Sequence, residues 1–220
     1  MSALAHVRQQ DRQQDRRTHI LDAAERCFAR SGFHRTTMQD VAREAGMVPG
    51  NLYRYFPSKD AMIAGLAERD RLEIAADFAS LSGAPDFLEA FKALGRKYFL
   101  EEPREKAIIA LEIWAESSRN PQMAAMRAAI HEEVHSGICR VCFEAQHNGA
   151  VHPGIDIPAV ARLITMLSDS LIKRRAIDPD FEAARDIESV INLIGAMLGG
   201  ACISGQNSPT THTLIAGKRS

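Results

Sequence analysis

Proline and glycine interrupt this chain at spacings that leave room for helices and little else. Pro49, Pro85, Pro103, Pro121 and Pro158 each stand where a helix could begin, a position at which the missing amide N–H costs nothing. Gly32 and Gly46 follow apolar residues at helical spacing, where a left-handed residue ends a helix. Between the breaks, apolar residues recur at steps of three and four, and alternating β-branched runs are missing. The pattern predicts an all-α chain of about nine helices. The expected spans are 17–30, a short helix capped by Thr37 and stopped at Gly46, and a third from Pro49 to near Phe56. Then follow 58–81, 85–101, 104–118, 121–147, 158–176 and 180–203. Residues 1–16, rich in Gln, Arg and Asp, read as a flexible basic arm, and 204–220 as a flexible tail.

Charge divides the chain. Residues 1–60 hold ten Lys and Arg against seven Asp and Glu, a net of +3, and the remainder carries −4. Only the front is suited to meeting a polyanion. The whole chain is at −1 with 45% hydrophobic and 25% charged residues, which excludes a wholly basic nucleic-acid coat and a disordered chain. Four cysteines in 220 residues do not make a secreted disulfide framework. The N-terminus lacks a secretory pattern. The most apolar run, Val190–Ile203, has 14 residues, fewer than the roughly 18 a membrane span needs. The expectation is a soluble cytoplasmic protein with no membrane partner and no cofactor.

Three short helices with a tight glycine turn between the second and third make a helix-turn-helix. In the first, Ile20, Ala24, Cys27 and Phe28 share one face; in the second, Val41, Ala42 and Ala45 face inward; in the third, Leu52 and Phe56 do. Thr37 with Asp40 three residues on comes close to a capping box. The third helix then offers its other face to a DNA major groove, which admits one helix.

The blocks Ile20-Leu-Asp-Ala-Ala-Glu-Arg-Cys-Phe-Ala-Arg-Ser-Gly32, Thr36-Thr-Met-Gln-Asp-Val-Ala-Arg-Glu-Ala-Gly46 and Gly50-Asn-Leu-Tyr-Arg-Tyr-Phe-Pro-Ser-Lys59 resemble the tetracycline-repressor (TetR/AcrR) family, in order and with its spacing. The resemblance implies a homodimer with a DNA-reading headpiece, here 17–57, and a ligand-sensing and dimerising body, here 58–203. It implies a repressor bound to a palindromic double-stranded operator and released by a small-molecule inducer.

On this reading Asn51 reads a base edge or binds phosphate, and Gly50 lets the backbone approach DNA. Tyr53, Arg54 and Tyr55 bond phosphates, with plain packing for the tyrosines and a solvated charge for Arg54 as the competing readings. Thr37 and Lys59 sit at helix N-termini, which favour phosphate, and Gln39 reaches a base. The arm's Arg8, Arg12, Arg16 and Arg17 add contacts. Where the family often has Ser and a polar residue, this chain has Val48-Pro49. That shifts base reading toward Gln39, Asn51 and an apolar contact of Val48 or Pro49 with a thymine methyl.

The body holds no GxSxG, HExxH or phosphate-cradling glycine loop, so no catalytic residue is assigned. Ligand-pocket candidates are Phe78, Phe99, Trp114, Phe143 and Met166, with Glu112, Glu116 and Asp169 as polar members. Plain core, or solvated charge for the acids, is the competing reading. Val160, Leu163, Leu167 and Leu171 on one helix and Ile187, Val190, Ile191 and Ile194 on the next repeat at helical spacing and are expected to pair two chains. His131, His135, Cys139 and Cys142 form a stripe of metal-ligating types. At ~1.5 Å per residue, His131 and Cys142 lie roughly 16 Å apart on a straight helix, too far to share an ion, and no metal is assigned. Alternative functions are a metal or redox sensor built on this stripe, and a DNA-binding regulator without a small-molecule ligand.

Overall fold

The computed structural model describes residues 2–198; the expected tail, 204–220, lies outside them. Nine α-helices form among these residues: α1 Ser2–Ser31, α2 Met38–Glu44, α3 Pro49–Leu52, α4 Lys59–Ser80, α5 Phe87–Arg96, α6 Arg104–Ser117, α7 Pro121–His147, α8 Ile157–Ile177 and α9 Ala183–Leu198. A π-helical turn, Lys97–Glu101, extends α5. No described residue is in a strand, and no described helix is long and apolar enough to cross a membrane.

The helix starts follow local capping chemistry. Thr37 and Asp40 close a full capping box at α2. Ser58, Asp86, Asn120 and Asp156 each accept a backbone N–H in the first turn of α4, α5, α7 and α8. Pro121 and Pro158 occupy the first turn of α7 and α8, the position where proline is tolerated. Gly46 turns the chain out of α2 with φ +62°, a left-handed conformation that residues with a Cβ rarely adopt.

The arm is the first departure. No break separates residues 2–16 from the helix expected over 17–30, and α1 runs through both. Ala, Gln and Arg are strong helix formers, and neither Gly nor Pro stands between Ser2 and Ser31. Polar composition had suggested a loose segment, but polarity only removes a buried face.

The headpiece core is the one its periodicity specifies. Ile20, Ala24, Cys27, Phe28, Val41, Ala42, Leu52 and Phe56 are at most 1% exposed. Such side chains contribute about 1.5–3 kcal/mol each when large and fully buried. Ile109 of α6 and Met123 of α7 join this core from the body, so headpiece and body share buried surface. The body packs Phe78 of α4 against Ile138, Val141 and Cys142 of α7 and Ile194 of α9. There α4 and α7 meet at Gly137, where an added Cβ would lie 2.4 Å from the Phe78 ring.

Candidate DNA interface and ligand cavity

The turn at Gly46 aims α3 away from the headpiece core. Leu52 and Phe56 face inward, leaving Val48, Pro49, Gly50, Asn51, Tyr53 and Arg54 exposed. Val48 is 69% and Tyr53 51% exposed. Gln39 is exposed on α2. Arg54 makes no ion pair among the described residues, so its guanidinium stands free.

Three expected DNA contacts are already committed within the chain. Lys59 Nζ donates to the carbonyls of Phe33 at 2.7 Å and His34 at 3.2 Å. It also lies 4.6 Å from the centre of the Phe33 ring. Its ammonium ties α4 to the turn after α1, which competes with the phosphate role expected of it. Thr37 gives its hydroxyl and N–H to Asp40, whose carboxyl is held below the usual range by those bonds. An anionic cap opposes phosphate at the same helix end. Arg17 donates to the Tyr55 carbonyl at 3.1 Å and lies over the Phe56 ring. Tyr55 itself is half-buried against the headpiece core.

A cavity of about 280 Å³ opens within the body. Its wall is mostly apolar and drawn from α4 to α9 (Phe78, Phe91, Phe99, Trp114, Ile138 and Ile164 among others). The π-helical turn brings Tyr98 and Phe99 to the wall. Tyr98 donates to Asp77 at 2.6 Å, and Lys97 bonds both Asp77 and Glu73. Burial, then the bond to Asp77, pushes the Tyr98 phenol far up, so it remains a donor.

Of the pocket candidates, Phe78, Phe99, Trp114 and Asp169 line this cavity. Burial raises the Asp169 carboxyl, with His131 and Arg127 drawing it back down. Phe143 and Met166 do not line it: they are 50% and 67% exposed on the outer surface. Glu112 and Glu116 turn the other way and meet the headpiece. Glu112 Oε2 accepts the Phe33 N–H at 2.6 Å, and Glu116 bonds His34 Nε2 at 3.1 Å. Their i, i+4 spacing was visible, but the partner, a turn nearly eighty residues upstream, was not.

The expected dimer seam is largely internal. Leu167, Leu171, Val190, Ile191 and Ile194 line the cavity of a single chain. Ile187 is 1% exposed and packs with Leu171 and Ile191. Val160 is half-buried against the body core. Only Leu163, 40% exposed, faces outward. Met166, expected at the pocket, and Leu193, given no role, are 67% and 52% exposed on α8 and α9. Asp70, also given no role, is a cavity-lining acid of α4. The signal was present: Leu66, Asp70, Ile74 and Phe78 follow at four-residue steps, so an acid interrupts an apolar row.

The His/Cys stripe is split. His131 lines the cavity, whereas Cys142 is 1% exposed in the core and pushed up to about 12 by burial. Cys139 Sγ is 3.7 Å from His135 Nε2, and no three metal-ligating side chains converge among the described residues.

An open recognition helix carried by a helical body with an apolar chamber defines a DNA-binding transcriptional regulator. The chain belongs to the TetR family: residues 20–66 match the bacterial regulatory proteins, tetR family, and residues 89–199 the BetI-type transcriptional repressor, C-terminal. It is similar to the HTH-type transcriptional regulator UidR of Escherichia coli K12, 29% identical over 191 residues, covering 85% of this chain and 93% of the relative. The solved structure of Salmonella enterica GusR is 25% identical with a TM-score of 0.69, over 84% of this chain and 95% of that one. Bacillus subtilis FadR in complex with stearoyl-CoA shares the fold at 19% identity and a TM-score of 0.69, over 83% and 98% of the two chains.

Proposed function

We propose that this protein is a dimeric cytoplasmic repressor that binds a palindromic operator and is released when a small molecule enters the body cavity. The observation that carries this reading is the double role of α6. Ile109, Ala110, Ile113 and Trp114 of that helix line the cavity, while Glu112 and Glu116 hold the turn between α1 and α2. A ligand that shifts α6 shifts the headpiece with it, and an effector acts only through such a difference between two states. α4 offers a second lever, since it begins at Lys59, bonded to the headpiece turn at Phe33, and carries Phe78 at the cavity.

Two-fold pairing supports two-fold recognition, because a symmetric protein reads inverted half-sites. The surface best suited to pairing is the outer face of α8 and α9, where Leu163 and Met166 are exposed on α8 and Leu193 on α9. A solved relative in complex with stearoyl-CoA is consistent with a body that takes a ligand.

The test is selection of bound duplexes from a random pool, followed by release with candidate ligands. An inverted repeat, bound at one dimer per site and released by a cavity ligand, is the expected result. Selection of an asymmetric site, or release unaffected by Trp114→Ala in a stable protein, would count against it.

A further inference from the structure

Asp70 occupies a row of α4 that is otherwise apolar. Leu66, Asp70, Ile74 and Phe78 all line the cavity. A carboxylate there loses hydration and needs a donor in exchange. The described residues supply none within hydrogen-bonding distance. Its Oδ1 is buried and has no hydrogen-bond partner among the described residues. Its one ion-pair contact, Arg69 Nε, lies 3.9 Å away, beyond hydrogen-bonding distance. The two terminal nitrogens of Arg69 are given to Asp22 and Glu25.

The other acids near Asp70 on the wall are matched. Glu25 pairs with Arg69, Glu73 with Lys97 at 2.9 Å, and Glu102 with Lys106 at 3.0 Å. Those pairs also occupy the local cations. Arg175, another wall cation, is held by the carbonyls of Tyr98, Leu100 and Glu102. Arg127 is unpaired among the described residues but stands near enough to Asp169 to draw that carboxyl down. The Asp70 side chain is nevertheless 39% exposed, and the space beside it is the chamber. Oδ1 is closed off, so that exposure belongs to the rest of the carboxyl, whose second oxygen is the acceptor left open beside the chamber.

Building on the chamber as effector site, we propose that it takes an apolar molecule bearing a hydrogen-bond donor, a primary ammonium foremost, with that donor on the Asp70 carboxyl. The hydrocarbon lies along Phe78, Trp114 and Ile138. An ammonium supplies both charge and N–H, and charge-assisted bonds are the stronger ones. A hydroxyl supplies the donor alone, and a quaternary ammonium the charge alone. A carboxylate supplies neither and meets Asp70 with like charge.

Trp114 is the sole tryptophan and lines the chamber, so its fluorescence reports occupancy. Octylamine, octanol, octanoate and octyltrimethylammonium, which share one chain, are titrated into the full-length protein at neutral pH. Octylamine is expected to bind about ten-fold or more tightly than octanol or the quaternary ammonium, with octanoate weakest. In Asp70→Asn that advantage over octanol falls to about two-fold or less, while octanol affinity is retained. The unliganded Asp70→Asn protein melts no lower than wild type, because the desolvation of the carboxylate outweighs its attraction to Lys106 and Arg69.

Equal binding of octylamine and octanol would overturn the donor assignment and leave the chamber as a ligand site. So would tightest binding by octanoate, which would move the anchor to Arg127. Loss of the amine preference in Asp169→Asn, but not in Asp70→Asn, would place the anchor on α8. If no probe changed Trp114 fluorescence or melting, the chamber reading itself would fall, and this proposal with it.

Discussion

The Glu112 carboxylate accepts the backbone N–H of Phe33 at 2.6 Å, a bond from the middle of a cavity-lining helix to the turn that carries the DNA-reading helices. Next to it, an added Cβ on Gly32 would lie 2.9 Å from Glu112 Oε1, so the carboxylate fits closely against the turn. Glu112→Ala leaves the Phe33 N–H without its acceptor, a loss of about 1–3 kcal/mol where the group stays buried. The variant should melt lower and release operator less sharply when ligand binds. Glu112→Gln keeps an acceptor oxygen and should fall between the two. Melting curves beside ligand titrations of operator-bound protein distinguish them; lower melting with intact release would place the coupling on α4 instead.

Arg54 and Lys59 are expected to behave differently despite their like charge. Arg54→Ala should weaken binding to every duplex and flatten the salt dependence by about one unit per lost phosphate contact in each half-site. Lys59→Ala should instead lower headpiece stability by about 1.5–3 kcal/mol, since its ammonium bonds two carbonyls. Asn51→Ala should change the ranking of operator sequences. Binding measured over a salt series, with melting as control, separates these outcomes.

Assembly should depend on the outward residues of α8 and α9 and not on their buried neighbours. Met166→Asp and Leu193→Asp are expected to give folded monomers in sedimentation. Ile191→Asp and Ile194→Asp, with parent residues 6% and 7% exposed, should unfold the body, because a buried unpaired carboxylate costs several kcal/mol by typical magnitudes. Folded dimers of Met166→Asp and Leu193→Asp would move the interface elsewhere.

Gly137→Ala adds a Cβ where the Phe78 ring already lies. The ring belongs to both the body core and the cavity wall, so it must shift into one or the other. Overpacking of this kind costs about 1–3 kcal/mol. Lower melting and weaker ligand binding are expected together.

Asp70 gives a pH dependence with a definite sign. Burial raises its carboxyl to about 6, with Lys106 and Arg69 pulling it down and Glu25 and Glu73 pushing it up. In the unfolded chain an aspartate titrates near ~3.9. The folded state therefore holds the proton more tightly, and this group makes stability fall as pH rises from about 4 to about 6, with the penalty complete above that. Asp70→Asn has no such titration. Its melting temperature relative to wild type should rise across that window and level off above it; a flat difference would contradict the raised value.

Local order was legible in the residues themselves. The capping box at Thr37 and Asp40, the stop at Gly46 and the prolines opening α7 and α8 depend on atoms within one helical turn, and so their outcome is written in adjacent letters. The headpiece core was legible for a related reason: its three helices are close in sequence and amphipathic in one direction each. What periodicity cannot state is which surface a stripe will meet. Ile191 and Ile194 belong to an apolar face that would suit a partner chain as well as it suits their own cavity wall. Only packing against α5 and the π-helical turn decided between them. Long side chains posed the same difficulty. Lys59, Glu112 and Glu116 have the charge to meet a phosphate or a ligand, but each found a turn brought close by the fold. Asp70 shows the division within a single residue. Its place in an apolar row was fixed by the four-residue repeat of the helix, whereas its lack of a donor followed from where Arg69, Lys97 and Lys106 could reach. Helical pattern is set by neighbours in the chain, and the pairing of charges by neighbours in space.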